Sequence, residues 1–181
     1  MKTAEFNVYD FDKTIYAGDS TVDFYIFCLK NNPKLVLSIF PNFVNACKFK
    51  LRLIKRSEFK ENFYISFLPK VDVETMVQKF WQVMNKKVQK WYLDQKRAND
   101  LIISASATFL LAKICKQLEV ELLASDVDVK TGRLLGPNLR GVEKVKLYKA
   151  RYEDTPIDNF YTDSLSDKPM MDLAENAHLV K

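Results

Sequence analysis

Two aspartates stand two residues apart in "NVYDFDKTIY", directly after a short apolar run, and a threonine follows at position 14. The run at residues 4–9 (AEFNVY) predicts a strand, so Asp10 and Asp12 lie where that strand ends. Carboxylates two residues apart can share one face of the emerging loop. In open parallel sheets ligands bind beyond the carboxyl ends of the strands, so this pair is a candidate for chemistry.

Further polar side chains follow later predicted strands. Ser104 ends the apolar run "DLIISAS", Asp163 and Asp167 follow "IDNFYT", and Lys144 begins a helix in "GVEKVKLY". Taken singly, an Asp or Ser at a strand end is commonly a helix cap or a turn residue. Taken together, they predict one polar cluster at one edge of the sheet.

Acids that converge on one edge repel each other unless a cation compensates their charge. Since the cluster offers oxygen ligands and no His or Cys, a hard ion is favoured, above all Mg²⁺. A metal, the lysine and the serine hydroxyl would neutralise and bind the oxygens of a phosphoryl group. A carboxylate can then attack phosphorus and give an aspartyl-phosphate that water hydrolyses.

The elements that position this cluster alternate between strands and helices. From residue 99 onward the sequence predicts the following order: strand 100–106, helix 107–118, strand 119–124, hairpin 126–138, helix 142–153, strand 157–162, helix 168–175 and strand 177–180. This alternation is typical of a parallel sheet, which the strand at 4–9 would join. Asp126 and Asp128 form a second DxD pair in the hairpin, and we interpret them as turn residues rather than metal ligands.

Residues 19–97 instead show helical periodicity throughout. Four helices are predicted there, at 20–31, from Pro33 with a break or kink at Pro41, at 57–68 and at 72–97. The predicted fold is therefore α/β, a Rossmann-like parallel sheet flanked by helices with an inserted four-helix cap. Residues 1–18 and 98–181 would form the core domain, and residues 19–97 the helical cap domain.

Composition restricts the setting of the protein. The 181 residues carry a net charge of +5, and no apolar stretch is long enough to cross a bilayer. The three cysteines, at 28, 47 and 115, have no metal-binding spacing, and the first ten residues lack the apolar region of a signal peptide. These features predict a soluble cytoplasmic protein with reduced thiols.

Four motifs, "DFDKT", "IISAS", "GVEKV" and "DSLSD", occur in that order and resemble those of the haloacid dehalogenase superfamily. The chain is most similar to the phosphoserine-phosphatase-like branch, which has a helical cap after the first motif. The resemblance implies that Asp10 is the nucleophile and a Mg²⁺ ligand. It implies that Asp12 is the general acid and base, with its main-chain carbonyl on the metal, and that Thr14 braces their loop. An acid at position 12 favours a phosphatase or phosphotransferase over a dehalogenase.

The same resemblance assigns roles to the later motifs. Ser104 and the amide of Ala105 would hold the phosphoryl group, and Lys144 would neutralise charge between the nucleophile and the phosphate. Asp163 would ligate the metal. Asp167 would complete the metal site by orienting its water shell or Lys144.

Substrate selection would fall to the cap. Nine residues after the nucleophile, where phosphoserine phosphatases have a glutamate that receives the substrate's ammonium group, this chain has Asp19. It also has Ser166 where they usually have Asn, and either Arg52 or Arg56 would hold a substrate carboxylate. We therefore predict a phosphatase that acts on a small phosphorylated metabolite, and the two departures at Asp19 and Ser166 argue against phosphoserine as that substrate.

Residues 28–60 hold eight Lys or Arg and one acid, Glu58, which leaves two alternatives open. A basic, apolar cap resembles that of phosphatidylglycerophosphate phosphatases, so the protein would touch anionic lipid at the inner face of the membrane. Against this, helical spacing predicts that Leu35, Val36, Ile39, Phe43 and Val44 pack inside the cap. A nucleic-acid partner is the other alternative, but no helix-turn-helix, zinc or RNA-recognition pattern supports it.

Overall fold

A five-stranded parallel sheet forms the centre of the molecule in the computed structural model, which describes residues 6–153 and 155–180. In chain order the strands are β1 (Asn7–Tyr9), β2 (Leu101–Ala107), β3 (Glu121–Ser125), β4 (Ile157–Thr162) and β5 (Ala174–Leu179). Their order across the sheet is β3-β2-β1-β4-β5, with every neighbouring pair parallel. The predicted α/β fold is thus confirmed, with β1 at its centre; residues 4 and 5 of the predicted first strand lie outside the described residues.

Eight α-helices follow β1 in the described part of the chain. They are α1 (Ser20–Asn31), α2 (Ile39–Lys50), α3 (Arg56–Phe67), α4 (Val73–Met84), α5 (Lys90–Gln95), α6 (Thr108–Leu118), α7 (Val142–Tyr152) and α8 (Lys168–Met171). Short 3₁₀ turns lie at Pro33–Ser38, Leu68–Lys70, Asn85–Lys87 and Leu165–Asp167. None of the helices in this part of the chain is long and apolar enough to cross a membrane.

Helices α1 to α5 form an insertion between β1 and β2, as the sequence predicts. This helical insertion, residues 20–95, shares one hydrophobic cluster with α6 and the loop after β1. Phe24 packs edge-on against Phe109, and the Trp81 indole Nε1 donates a hydrogen bond to the Leu110 carbonyl over 2.7 Å. The insertion and the core thus share one continuous hydrophobic cluster. The division into a core domain and a separate cap domain, at the predicted boundaries, stays a prediction.

The predicted helix at 72–97 is wrong in its middle, where the chain breaks into α4, a 3₁₀ turn and α5. At the break the backbone bonds to the loop that follows β1. Gln89 donates from its main-chain nitrogen to the Ile15 carbonyl over 2.8 Å and from its side chain to the Thr14 carbonyl over 2.7 Å. These long-range bonds replace the helical ones, and they fix the loop that carries the two aspartates.

Other boundaries also differ from prediction. The second helical segment breaks at Ser38 and not at Pro41, which lies in the first turn of α2, where a missing N–H costs little. The hairpin is reduced to one bridge between Val127 and Leu134, and its turn is held by hydrogen bonds to the Asp128 carboxylate. The last helix ends at Met171, because the chain turns early into β5.

The prediction that five apolar residues around α2 pack inside the cap is wrong for four of them. Leu35 is buried, but the other four residues are exposed to solvent: Val36, Ile39, Phe43 and Val44. The reason is that α2 turns Asn42 and Asn45 toward α3, where both side chains form hydrogen bonds. The helix therefore presents its apolar side outward.

Candidate active site

A cavity of about 420 Å³ opens at the carboxyl ends of the central strands. Its lining includes every predicted site residue except Thr14: Asp10, Asp12, Asp19, Ser104, Ala105, Lys144, Asp163 and Asp167. Asp10 follows β1, Ser104 lies in the last part of β2 and Asp163 follows β4. The parallel topology therefore brings together residues that are up to 157 positions apart in the sequence.

Lys144 is the central cation of this site. Its side chain is buried, and Nζ lies 2.7 Å from Asp10 Oδ1 and 2.6 Å from Asp167 Oδ2. Gly141 precedes α7 with a positive φ of 56°, which allows the helix to begin where Lys144 reaches the cavity from its first turn. Burial by itself lowers the pKa of Lys144, but the two carboxylates outweigh burial and leave its pKa raised. The lysine is therefore charged at neutral pH.

Asp10 is positioned by the sheet and by Lys144. Its main-chain nitrogen donates to the Tyr161 carbonyl over 2.8 Å, which continues the pairing of β1 with β4. Burial raises the pKa of the Asp10 carboxyl, while the charge of Lys144 opposes that increase. Lys144 binds Oδ1, whereas no ion pair among the described residues engages the second oxygen, Oδ2.

Asp12 is held by two donors from different elements. Its Oδ1 accepts a hydrogen bond from the Ser20 main-chain nitrogen over 2.6 Å, and its Oδ2 accepts one from the Ser106 hydroxyl. Burial raises its pKa to about 7, with the Asp19 charge adding to the increase and both serines opposing it. A carboxyl with a pKa near 7 can both release and accept a proton at neutral pH.

The end of β2 is irregular, and this irregularity shapes one side of the cavity. The register of β2 against β3 shifts between Ser104 and Ala107. The buried Ser104 hydroxyl accepts a hydrogen bond from the Ser106 nitrogen over 3.1 Å, and the Ala105 carbonyl accepts one from the Ser125 hydroxyl over 2.9 Å. Sequence reasoning did not identify Ser106 as a site residue. The "SAS" segment could have indicated it, because residues two apart on a strand share one face and Ser106 follows Ser104 by two.

The remaining predicted residues are less tightly held. Asp163 lines the cavity, and across residues 6–153 and 155–180 its carboxylate has no hydrogen bond or ion pair. Asp19 caps α1, accepting a hydrogen bond from Val22 over 3.0 Å, and also reaches the lining. Thr14 is buried behind the cavity, and its hydroxyl has no partner among the described residues, so its bracing role stays a prediction.

A second lysine reaches the site from the helical insertion. Lys60 of α3 donates to the Ala105 carbonyl and, over 2.7 Å, to Asn138 Oδ1. Burial lowers its pKa to about 8, against the opposing charges of Asp12 and Asp19. Sequence reasoning missed Lys60 because it counted this residue only as part of the basic excess, and its contacts depend on how α3 packs over β2.

The other cations of the cavity are also distributed over several elements. Lys13, Arg56 and Arg140 join Lys60 and Lys144 in the lining, facing the five aspartates. Of the two arginines left open by the sequence, Arg56 lines the cavity and Arg52 does not. The cavity therefore presents acids at the ends of the strands and several cations around them.

The oxygen donors fit a magnesium ion better than a cation that needs a protein cage. Within the described ranges no three His, Cys, Asp or Glu side chains are grouped closely enough to hold a metal by themselves. Mg²⁺ is usually bound by one or two carboxylates, with water and substrate phosphate as the other ligands. Asp10 and Asp163 supply two such carboxylates, whereas both oxygens of the Asp12 carboxylate already accept hydrogen bonds.

Fold and cavity together define an α/β protein whose polar site lies at the carboxyl ends of a parallel sheet. Residues 8–172 match the family model of the haloacid dehalogenase-like hydrolases, so the chain belongs to that family. No curated protein sequence matches the chain significantly.

Several solved structures share the fold. A protein of unknown function from Bordetella pertussis Tohama I superimposes with a TM-score of 0.79 at 16% identity, over 97% of this chain and 89% of that one. A probable phosphoserine phosphatase from Vibrio cholerae gives 0.65 at 13% identity, over 96% of this chain and 55% of that one. A phosphoserine phosphatase solved as a phospho-aspartyl intermediate analogue gives 0.59 at 13% identity, over 97% and 86%. These similarities establish the phosphoserine-phosphatase-like fold of this chain.

Proposed function

We propose that this protein is a Mg²⁺-dependent phosphatase that hydrolyses a phosphomonoester through an aspartyl-phosphate on Asp10. The observation that carries the proposal is the pairing of Asp10 with a buried, charged lysine beside a second acid whose pKa is about 7. The haloacid dehalogenase-like family and the phospho-aspartyl analogue of a structural neighbour support the same chemistry.

In the first step, Oδ2 of Asp10 attacks phosphorus, and the bond between phosphorus and the substrate's alcohol oxygen breaks. Protonated Asp12 donates its proton to that oxygen, so a neutral alcohol leaves. Lys144 holds the other oxygen of Asp10 and offsets the negative charge that collects around the phosphoryl group. The products of this step are the alcohol, the aspartyl-phosphate and ionised Asp12.

In the second step, ionised Asp12 takes a proton from a water molecule, and the resulting hydroxide attacks phosphorus. The bond to Asp10 breaks, inorganic phosphate is released and Asp12 is again protonated. One residue can serve both steps because burial raises its pKa to about 7. Ser20 and Ser106 keep its carboxyl oriented between the steps.

The metal would be held by Asp10, Asp163 and the Asp12 carbonyl, with Asp167 holding Lys144 in place. When bound, Mg²⁺ supplies charge neutralisation and orientation of the phosphoryl oxygens. We assign phosphoryl binding to the Ser104 hydroxyl and the Ala105 amide, which border the same cavity. Asp10, Asp12, Thr14, Ser104 and Lys144 are thus the proposed catalytic set.

The cations around the acids favour a small phosphorylated metabolite with a second anionic group. Arg56 and Arg140 line the same cavity as Asp10 and Lys144, and each would attract a carboxylate or a second phosphate. Asp19 is proposed to contact the substrate with the carboxylate oxygen that does not cap α1. A phosphorylated lipid is the second candidate, favoured by the exposed apolar side chains beside α2.

The test is a substrate panel of phosphorylated metabolites, lysophospholipids and p-nitrophenyl phosphate, assayed with Mg²⁺ and with a chelator. Turnover should require the metal and should fall by at least about 1,000-fold in Asp10→Asn. The isosteric amide still accepts a hydrogen bond from Lys144, so the variant should remain folded. Asp94→Asn, an exposed aspartate on α5, is the matched control and should retain full activity. Wild-type rates in Asp10→Asn would remove Asp10 as the nucleophile.

A further inference from the structure

We infer that the outward side of α2 and its flanking turns is a docking surface for a membrane that contains anionic lipid. We call it the docking face and define it by six exposed apolar residues: Leu37, Phe40, Phe43, Val44, Leu51 and Leu53. Four of them are largely in solvent, with exposed fractions of 77% for Leu37, 74% for Phe40 and 69% for both Leu51 and Leu53. Vesicle binding does not need turnover, so this inference is independent of the proposed phosphatase activity.

The first argument is that α2 packs its polar side against the protein and leaves its apolar side exposed to solvent. Its buried member is the polar Asn45, whose side chain donates to the Phe59 carbonyl over 2.8 Å. Asn42 donates to the Ser66 hydroxyl over 2.8 Å from the same side. Since these amides form the contact with α3, the apolar residues are left on the opposite side, where residues 6–153 and 155–180 leave them exposed.

The second argument is that the exposed residues form one surface. Leu37, Phe40, Val44, Cys47 and Leu51 follow one another at intervals of three and four residues, and all are exposed or lie at the edge of exposure. Side chains at such intervals stand above one another on a helix. Beyond Leu51 the chain continues through Arg52, which has a positive φ of 58°, to the exposed Leu53. Two leucines thus project from the turn at the end of α2.

The third argument identifies the partner by charge. Between Asp23 and Glu58 there is no acidic residue, whereas seven bases occur there: Lys30, Lys34, Lys48, Lys50, Arg52, Lys55 and Arg56. A second copy of this chain would bring two such basic segments together, and their repulsion opposes a dimer through this face. An anionic lipid surface attracts the exposed bases next to the apolar residues, among them Lys48, Lys50 and Arg52, and also takes up exposed aromatic and aliphatic side chains.

The docking face is directly connected to the candidate active site. Phe49 of α2 stacks on Phe59 of α3 with ring centroids 4.8 Å apart, and the Arg56 guanidinium lies 5.3 Å from the centre of the Phe49 ring. Arg56, Phe59 and Lys60 all line the cavity. A membrane bound to α2 would therefore lie one helix away from the cavity.

The experiment is co-sedimentation of the full chain with vesicles of phosphatidylcholine alone and of equimolar phosphatidylcholine and phosphatidylglycerol. Binding to the mixed vesicles at low salt, weaker binding at high salt and little binding to phosphatidylcholine are expected. Leu51→Asn combined with Leu53→Asn should weaken binding by at least about tenfold. Lys48→Gln combined with Lys50→Gln should weaken it by about fivefold for each charge removed.

Matched controls distinguish binding through the docking face from nonspecific binding of the protein to vesicles. Leu135→Asn changes an equally exposed leucine in the loop after β3, and Lys79→Gln with Lys86→Gln removes two exposed charges from around α4. Neither control should change vesicle binding by more than about twofold. Hydrolysis of p-nitrophenyl phosphate in the absence of lipid should be unchanged in the leucine variants, because these residues do not line the cavity.

Three results would overturn the inference. One is the absence of binding to the mixed vesicles. Another is an equal loss of binding in the docking-face variants and in the controls. The third is a dimer in sedimentation equilibrium that Leu51→Asn with Leu53→Asn dissociates, which would identify a second copy of the chain as the occupant.

Discussion

Replacing Lys144 with methionine tests the electrostatic account of the site without depending on any substrate. Lys144 is buried between two carboxylates, at 2.7 Å from Asp10 and 2.6 Å from Asp167. Methionine has a similar length and no charge, so the packing of α7 is largely retained. The variant therefore isolates the loss of the cation from the loss of volume.

The magnitude follows from the burial of the acids that remain. Removing one partner of a buried ion pair costs about 3–5 kcal/mol, because the other partner is left as an uncompensated charge. For a domain of this size, each kcal/mol lowers the melting temperature by about 2–4 °C. We therefore expect Lys144→Met to melt roughly 6–20 °C below the wild type at neutral pH.

The sign of the pH dependence is also fixed. In the wild type, burial raises the pKa of Asp10 and the charge of Lys144 opposes the increase. In the variant that opposition is gone, so the pKa of Asp10 rises further and the acid takes up a proton at a higher pH. A protonated carboxyl no longer needs the cation, so the stability deficit should be largest at neutral pH and should shrink as the pH falls.

The assay is thermal and denaturant unfolding followed by circular dichroism, with a chelator present so that no metal replaces the missing cation. Lys146→Met is the matched control, because Lys146 is on the same helix and forms an exposed pair with Glu143. It should change stability by less than about 1 kcal/mol. A Lys144→Met variant as stable as this control at neutral pH would refute the reasoning.

Two further predictions concern the contact between the helical insertion and the core. Gly132 has a φ of +77°, and an added Cβ would lie 2.5 Å from the main-chain nitrogen of Ile65, so Gly132→Ala should destabilise by at least about 2 kcal/mol in denaturant unfolding. Gly136→Ala is its control, since nothing lies within 4 Å of its added Cβ, and a loss as large in this control would contradict the clash. Burial lowers the pKa of Lys60 from its ordinary value of 10.5 to about 8, so the unfolded chain binds more protons between these values and stability should rise with pH. Relative to Lys60→Met, the wild type should gain about 3 kcal/mol over this range, and parallel pH profiles of unfolding would contradict the burial of a charged Lys60.

The parts of the site that lie on strands were open to prediction because they depend on local pattern and on topology. An apolar run ending in Asp10, another ending in Ser104 and a third followed by Asp163 fix the same sheet edge as soon as the strands are parallel. Lys144 followed from its place at the start of the helix after the hairpin. These residues all line the cavity, although their chemical roles stay predictions.

The features that depend on packing between distant elements could not be predicted from local sequence patterns. Lys60 is one lysine among many in the sequence, and it reaches the site only because α3 packs over the end of β2. The break after Met84 arises from bonds between Gln89 and the loop after β1, which helical periodicity does not encode. Periodicity correctly predicted that Ile39, Phe43 and Val44 lie on a helix. It predicted the wrong side for the interior, because the side of α2 that faces α3 carries Asn42 and Asn45, which hydrogen-bond to α3.

The central claim is that Asp10 carries the phosphoryl group, and it is tested most directly by trapping that group. Asp12→Asn lacks the base that activates water, so the phosphorylated protein should accumulate when this variant is mixed with p-nitrophenyl phosphate and Mg²⁺ and then quenched in acid. We predict that mass spectrometry of the digested protein finds the phosphoryl group on Asp10, and finds none when Asp10→Asn is treated in the same way. A phosphoryl group on another residue, or steady hydrolysis by Asp10→Asn, would contradict the account.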